Sequence, residues 1–151
     1  MIRKIKTSGA DITEEVAEKI GSRLKGREVI ELISDLGGGK TTFVRGLAKG
    51  AGSKDHVSSP SFAISKTYQT DGFTLQHYDF YRLNEAGIMA HELSDIAKDD
   101  NKVAVIEWGD IVRDVLPHDR MTVTINNLGD ELRELVFELP EELSYLMEDI
   151  G

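Results

Sequence analysis

The segment Ser34-Asp35-Leu36-Gly37-Gly38-Gly39-Lys40-Thr41-Thr42 stands between an apolar run and an amphipathic run. Three consecutive glycines free the backbone to turn until successive N–H groups point inward, and a helix starting directly behind them adds the positive end of its dipole. Such a nest holds phosphate. In this reading Lys40 reaches the β- and γ-phosphates of ATP, and the Thr41 hydroxyl is offered to Mg²⁺. The flanking sequence passes the context test: Val29, Ile30, Leu32 and Ile33 read as a buried strand, while Phe43, Val44, Leu47 and Ala48 fall on one face of a helix. Gly50 and Gly52 are expected to stop that helix. Asp35, Gly37, Gly38, Gly39, Lys40, Thr41 and Thr42 are therefore the expected nucleotide-binding residues. The pattern G-x-x-x-x-G-K-[ST] asks for Gly where this chain has Ser34, a small residue that leaves the inner turn to the three glycines.

A phosphate loop of this kind needs an acid across from its threonine, because Mg²⁺ takes oxygen ligands and keeps several waters. Two acids at strand ends compete for that role. Glu107 ends Val103-Ala104-Val105-Ile106, the hydrophobic run followed by an acid that marks a Walker B strand, and Asp79 lies in His77-Tyr78-Asp79-Phe80-Tyr81-Arg82. Either holds the metal or orients the attacking water. His77 reads as a satisfied or half-exposed histidine rather than a catalyst. Arg82 is placed to neutralise phosphate charge or to make a surface pair. Trp108, the one tryptophan, is a strand-end aromatic or a contact surface. Ser59, Pro60 and Ser61 form either a nucleotide-sensing loop or a plain Ser-Pro turn.

The chain has 151 residues, a formal net charge of −9 and no cysteine. That length suits one domain with a core of its own. The acidic surface repels a phosphate backbone, so independent RNA binding is not expected. Without cysteine there are no disulfides, thiolate zinc sites or cysteine nucleophiles. Met1 to Gly9 is too polar for a signal peptide and no apolar run reaches membrane-spanning length, so a soluble, cytoplasmic protein with no membrane association is expected.

Along the chain, Met1 to Ser8 reads as an edge strand. A helix follows, with Asp11 and Glu14 as a capping-box-like pair, Ile12, Val16, Ile20 and Leu24 as its stripe, and Gly26 as its end. Phe62, Ile64 and Tyr68 begin an extended segment, Asp71-Gly72 turns it, and Phe73 to Phe80 return as a hairpin. Asn84 is the expected cap of a helix carrying Met89, Leu93 and Ile96 and ending near Asp99-Asp100. Val103 to Trp108 is a buried strand, and Ile111 to Leu116 a short helix stopped by Pro117. Met121 to Ile125 and Leu132 to Leu139 form a second hairpin around Asn126 to Asp130, and a last short helix follows Pro140. Glu131 to Glu134 and the acidic tail read as solvated faces. No repeat or linker interrupts this order. The predicted fold class is α/β, a P-loop NTPase-like three-layer domain spanning residues 1–151, with a mixed sheet and inserted antiparallel hairpins.

The ordered set Asp35-Leu36-Gly37-Gly38-Gly39-Lys40-Thr41-Thr42 with Arg45-Gly46, Ser59-Pro60-Ser61-Phe62, His77-Tyr78-Asp79-Phe80-Tyr81-Arg82, Val105-Ile106-Glu107-Trp108, and Leu116-Pro117 with Asp119-Arg120 resembles the TsaE family. These are small P-loop ATPases of bacterial tRNA threonylcarbamoyladenosine biosynthesis. The resemblance runs from about Thr7 to Leu139. It implies a cytoplasmic ATPase of weak intrinsic turnover that joins the TsaB and TsaD proteins, touches tRNA only indirectly, and supports threonylcarbamoyl transfer to adenosine 37 without performing it. By the same resemblance, Lys40 contacts phosphate, Thr41 and Glu107 serve Mg²⁺, and Asp79 is an essential acid near the nucleotide. Trp108 and the Ser59 to Phe62 loop lie near the nucleotide or partner face, with Ser59, Ser61, Arg82 and Trp108 as possible sensor or partner contacts. The chain departs from the family's usual residues at Ser34 (Gly), Gly38 (Ala) and Ser61 (Thr), and Glu85 to Ile96 matches poorly, so no role is carried onto it.

Two other classes share the phosphate loop. A small-molecule kinase needs an arginine-rich lid, yet after Pro117 the arginines are Arg120 and Arg133 alone. A GTPase-type switch needs an N-K-x-D guanine motif, and here Asn101-Lys102 is followed by Val103-Ala104.

Overall fold

The computed structural model describes residues 1–34, 39–60, 65–81, 87–96 and 98–150, giving the backbone alone at Ile88, Gly109 and Ile111. Its elements run in the order β1 (Ile2–Thr7), α1 (Ala10–Gly21), β2 (Val29–Ile33), α2 (Lys40–Gly50), β3 (Ser65–Gln69), β4 (Thr74–Asp79), α3 (Gly87–Ile96), β5 (Lys102–Glu107), a 3-10 helix (Gly109–Val115), β6 (Met121–Gly129), β7 (Leu132–Glu138) and a second 3-10 helix (Glu141–Met147).

The strands form a seven-stranded sheet in the order β1-β7-β6-β2-β5-β4-β3. Its four central strands β6, β2, β5 and β4 are mutually parallel, and antiparallel pairs close both edges. This is the expected mixed α/β sheet. The β3–β4 hairpin is more than an insertion, because β4 continues into the sheet as the parallel neighbour of β5.

Side-chain alternation sends each central strand's residues to two cores. Ile30, Leu32, Leu75, Val103, Val105, Met121 and Val123 face α1, α2 and the C-terminal 3-10 helix. Val29, Tyr78, Phe80, Ala104 and Ile106 face Leu93 and Ile96 of α3 and Val112 of the first 3-10 helix. Strands buried on both sides read as near-continuous apolar runs, which is why β2 and β5 were visible in the sequence.

Glycine sets the spacing between α1 and α2. A Cβ placed on Gly46 would lie 2.4 Å from the Glu14 carbonyl oxygen, one on Gly21 would lie 2.2 Å from that of Leu47, and one on Gly50 would lie 2.0 Å from that of Glu18. The two helix backbones therefore touch. Gly50 serves this contact as the last residue of α2, and Gly52, at φ +88°, turns the chain away.

Several boundaries differ from the sequence reading. Helix α1 starts at Ala10 behind Gly9, whose carbonyl accepts from Thr13 N at 3.1 Å, so Asp11 lies in the first turn and no side chain caps the helix. It ends at Gly21, and Gly26, at φ +114°, belongs to the next turn. There the Lys25, Gly26 and Arg27 N–H groups, at 2.8, 2.9 and 3.1 Å, and the Tyr145 hydroxyl all donate to the buried Glu28 carboxylate. Both late short helices are 3-10, each seven residues long. Helix α3 ends at Ile96, before the expected Asp99, and its expected cap, Asn84, lies outside the described residues. The second hairpin is tighter than expected: β6 reaches Gly129, with a register shift between Asn127 and Gly129.

Candidate functional site

Parallel strands gather their C-terminal ends at one edge of a sheet, where ligands of open α/β folds bind. Here β2 lies between β5 and β6, and the chain leaving β2 enters α2 at Lys40. In register, Leu32 of β2 is opposite Glu107 of β5, and Glu107 is opposite Asp79 of β4. Lys40, Glu107, Trp108 and Asp79 thus converge on this edge from residues far apart in sequence. Gly39, at φ +105°, takes the left-handed conformation that glycine adopts without steric cost, and its carbonyl accepts from Phe43 N at 3.0 Å. Thr41 and Thr42 follow Lys40 in the first turn of α2 and are half-buried. Asp35, Gly37, Gly38, Ser61 and Arg82 lie outside the described residues.

Lys40 is largely buried. Its ammonium donates to the Ser34 carbonyl at 3.1 Å and lies 4.3 Å from the centre of the Trp108 ring, a cation–π contact. Trp108 directly follows β5 with φ 56° and ψ 49°, a left-handed conformation uncommon outside glycine. That turn lays the indole between Lys40 and Tyr81, whose ring centre is 5.0 Å away. Trp108, Leu32, Ile33, Ser34 and Asp110 line a small cleft of about 70 Å³.

The two acids differ in environment. Glu107 is 2 % exposed, and its Oε2 accepts from His77 Nε2 at 2.5 Å. Asp79 is half-buried, and its Oδ1 accepts from Tyr81 N at 3.0 Å. Of the two readings of His77, satisfied or half-exposed, the structure has the first: it is fully buried, and its partner is the Glu107 carboxylate itself. On its other side, Nδ1 lies 3.4 Å from the Tyr68 hydroxyl, which donates to the Ser58 carbonyl at 3.0 Å. Burial, with help from the nearby Glu107 charge, pushes the Tyr68 hydroxyl above its ordinary pKa, so it stays a proton donor. Ser58 also receives the Lys66 ammonium on its Oγ. These bonds place the Ser58–Ser59 segment at the far end of a chain of contacts from Glu107. Tyr68 carries no functional signal in the sequence, because a tyrosine on an alternating strand looks like any other core residue.

A second buried acid sits on the opposite face of β2. Glu31, 1 % exposed, accepts from Arg113 and Arg120, each at 3.1 Å. Arg113 also reaches Asp110 at 2.7 Å. The hydrogen bond and charge of Glu31 raise the Arg113 pKa further, so the guanidinium stays charged. Arg120 additionally donates to the Pro117 carbonyl at 2.9 Å. These arginines clamp the segment from Gly109 to Arg120 beneath the sheet edge. Among the described residues no group of three or more His, Cys, Asp and Glu side chains gathers as a metal cluster. No helix among them is long and apolar enough to cross a membrane.

Comparison with known proteins shows the family. The family model described as threonylcarbamoyl adenosine biosynthesis protein TsaE matches residues 7–135. The tRNA threonylcarbamoyladenosine biosynthesis protein TsaE of Bacillus subtilis (strain 168) is 33% identical over 138 residues, covering 89% of this chain and 84% of that protein. Its Streptomyces coelicolor counterpart is 34% identical over 127 residues, covering 80% and 84%. The crystal structure of Bacillus subtilis YdiB superposes with a TM-score of 0.82 at 29% identity, covering 99% of this chain and 93% of that one. Since the family model spans most of the chain and the relatives align over four-fifths of it or more, the chain belongs to the TsaE family.

Proposed function

We propose that this protein binds ATP with Mg²⁺ at the C-terminal edge of β2, β5 and β4, hydrolyses it slowly, and through that cycle supports threonylcarbamoylation of adenosine 37 in tRNA by a complex of the TsaB and TsaD proteins. One observation carries the reading. Lys40, in the first turn of the helix behind the glycine loop, and Glu107, at the end of the parallel strand beside β2, flank one sheet edge.

The residues present fit a magnesium-bound triphosphate. The Lys40 ammonium supplies a charge-assisted donor for phosphate at the head of α2. The Thr41 hydroxyl and a Glu107 carboxylate oxygen are hard donors of the kind Mg²⁺ takes. Bound magnesium would offset the charge that gathers on the transferring phosphoryl group. Asp79, more exposed than Glu107 and facing it in register, is suited to orient the attacking water. Trp108, touching both Lys40 and Tyr81, is suited to pass phosphate occupancy to a partner surface. Gly37, Gly38, Asp35, Ser59, Ser61 and Arg82 complete the proposed site by resemblance to the family.

A net charge of −9 argues against the protein gripping tRNA itself, so the acidic subunit works through proteins that do. The cytoplasm, where tRNA is modified, is the proposed compartment.

The test has two arms. Calorimetry with MgATP establishes the site, and capture of purified TsaB and TsaD proteins on the immobilised chain in ATP, ADP or no nucleotide establishes the coupling. ATP-dependent retention is expected, because a ligand changes partner affinity only through differential interaction with two states. Absence of MgATP binding removes the ATPase reading. Nucleotide binding with no association, together with intact tRNA modification in a deletion strain, removes the role in modification.

A further inference from the structure

We infer that His77 is a positioning residue: it fixes the Glu107 carboxylate for the metal and ties it, through Tyr68, to the segment carrying Ser58 and Ser59. This rests on the reading of Glu107 as a magnesium ligand.

His77 cannot touch a nucleotide directly, since it is fully buried on the face of β4 that meets the main core. Its register partner is Val105, so the imidazole reaches diagonally to Glu107, two residues further along β5. At 2.5 Å this is a short, charge-assisted hydrogen bond that occupies Oε2 and fixes the orientation of the carboxylate plane, and with it the direction of Oε1. A carboxylate ligand held this way meets a metal without first losing rotamer freedom. Partners of this sort orient ligands and raise metal affinity although they never contact the ion.

The imidazole is itself held in place. The Tyr68 hydroxyl lies 3.4 Å from Nδ1, and its ring packs 6.1 Å from the imidazole. Tyr68 is buried in β3 and grips the Ser58 carbonyl at 3.0 Å, while Lys66 of the same strand grips the Ser58 hydroxyl. Displacement of the Ser58–Ser59 segment therefore pulls on Tyr68, and through the imidazole on Glu107. Metal coordination at Glu107 acts along the same bonds in reverse, since a coupling between two sites is reciprocal. The segment and the metal ligand sense one another without a shared ligand.

The experiment measures ATP affinity of the full chain with Mg²⁺ and again with EDTA, and takes the ratio. Two variants separate the contacts of His77. His77→Asn keeps a polar group near Tyr68 but is too short for Glu107, whereas His77→Gln places an amide donor where Nε2 now lies. We expect the magnesium-dependent ratio to fall about 10- to 100-fold in His77→Asn. His77→Gln should recover most of it, and affinity in EDTA should stay unchanged in both. Equal ratios in both variants and the natural protein overturn the inference, as does an equal loss of affinity with and without metal. A natural protein that shows no magnesium-dependent gain overturns the metal reading of Glu107 instead. Should His77→Asn fail to fold, the ¹⁵N resonance of His77 Nε2 in the natural protein gives the answer. A shift on adding Mg²⁺ with nucleotide, and none with nucleotide in EDTA, supports the inference; no shift in either condition overturns it.

Discussion

Asp79 and Glu107 face each other in the register of two adjacent parallel strands, yet Glu107 is enclosed and bonded to His77 while Asp79 stays half-exposed beside its own turn. Two carboxylates in such different surroundings are suited to different tasks. Glu107→Gln keeps an acceptor for His77 and removes the charge. It should fold normally and lose most of the magnesium-dependent gain in ATP affinity. Asp79→Asn should instead lower turnover with less change in affinity. Parallel titrations and steady-state phosphate release check this division, and an identical loss of both properties in both variants would refute it.

Lys40→Ala removes the proposed phosphate partner and, with it, the contacts to Ser34 and Trp108. A charge-assisted hydrogen bond contributes roughly 1.5 to 3 kcal/mol, so affinity for MgATP should drop by about one to two powers of ten. Calorimetry reads the loss directly, and natural affinity in this variant contradicts the phosphate-loop assignment.

Gly46→Ala should destabilise the fold although it adds a single methyl group. The new Cβ meets the Glu14 carbonyl oxygen at 2.4 Å and the Ala17 Cβ at 2.6 Å, and backbone cannot step aside as a side chain does. Overpacking costs about 1 to 3 kcal/mol, which for a domain of this size lowers Tm by several degrees. Thermal melts followed by circular dichroism would show it, and an unchanged Tm means the helices separate freely.

Acid should weaken the protein partly through Glu28. Burial alone would raise the pKa of this carboxyl, but the Tyr145 hydroxyl and the Lys25, Gly26 and Arg27 N–H groups outweigh it and hold the value below the ordinary 4.5. A carboxyl depressed on folding contributes stability in full above its unfolded value. That contribution disappears as pH falls through the lower, folded value. Glu28→Gln should therefore melt lower than the natural protein at neutral pH and lose less stability between pH 4.5 and the acid limit. Tyr145 has the opposite sense. Burial and the Glu28 charge raise its pKa above the ordinary 10.0, so its share is complete below pH 10 and is lost on the alkaline side. Matching pH profiles for Glu28→Gln and the natural protein dismiss the acid contribution.

Elements whose apolar pattern matches their burial were legible before folding: β2 as a run broken by Glu31, β5 as the run Val103 to Ile106, and α2 from Phe43, Val44, Leu47 and Ala48, all four of them buried. The proposed phosphate loop is read from the same local order, since strand, glycines, lysine and helix succeed one another in the chain. What escaped depends on register. Nothing in the alternation of His77 and Asp79 tells which strand pairs with β4, so the bond to Glu107, 30 residues away, had no sequence signal. The α1 cap was misplaced because Gly9 begins the helix with a backbone bond alone, which leaves no side-chain signature. The clamp of Arg113 and Arg120 on Glu31 likewise required β2, β6 and the intervening 3-10 helix to be assembled first.

The bare-backbone contact between α1 and α2 has a mechanical consequence. With glycine at three positions along the seam, α2 has no slack toward α1, and Lys40 at its head stands on a seat that does not yield in that direction. Were the proposed phosphate to bind that lysine, its effect would fall on the indole stacked above it and the tyrosine beyond. Those two rings belong to the strand ends, and Tyr81 is half open to solvent. Behind the lysine stands backbone, and in front of it stand two aromatic rings, the outer one facing solvent.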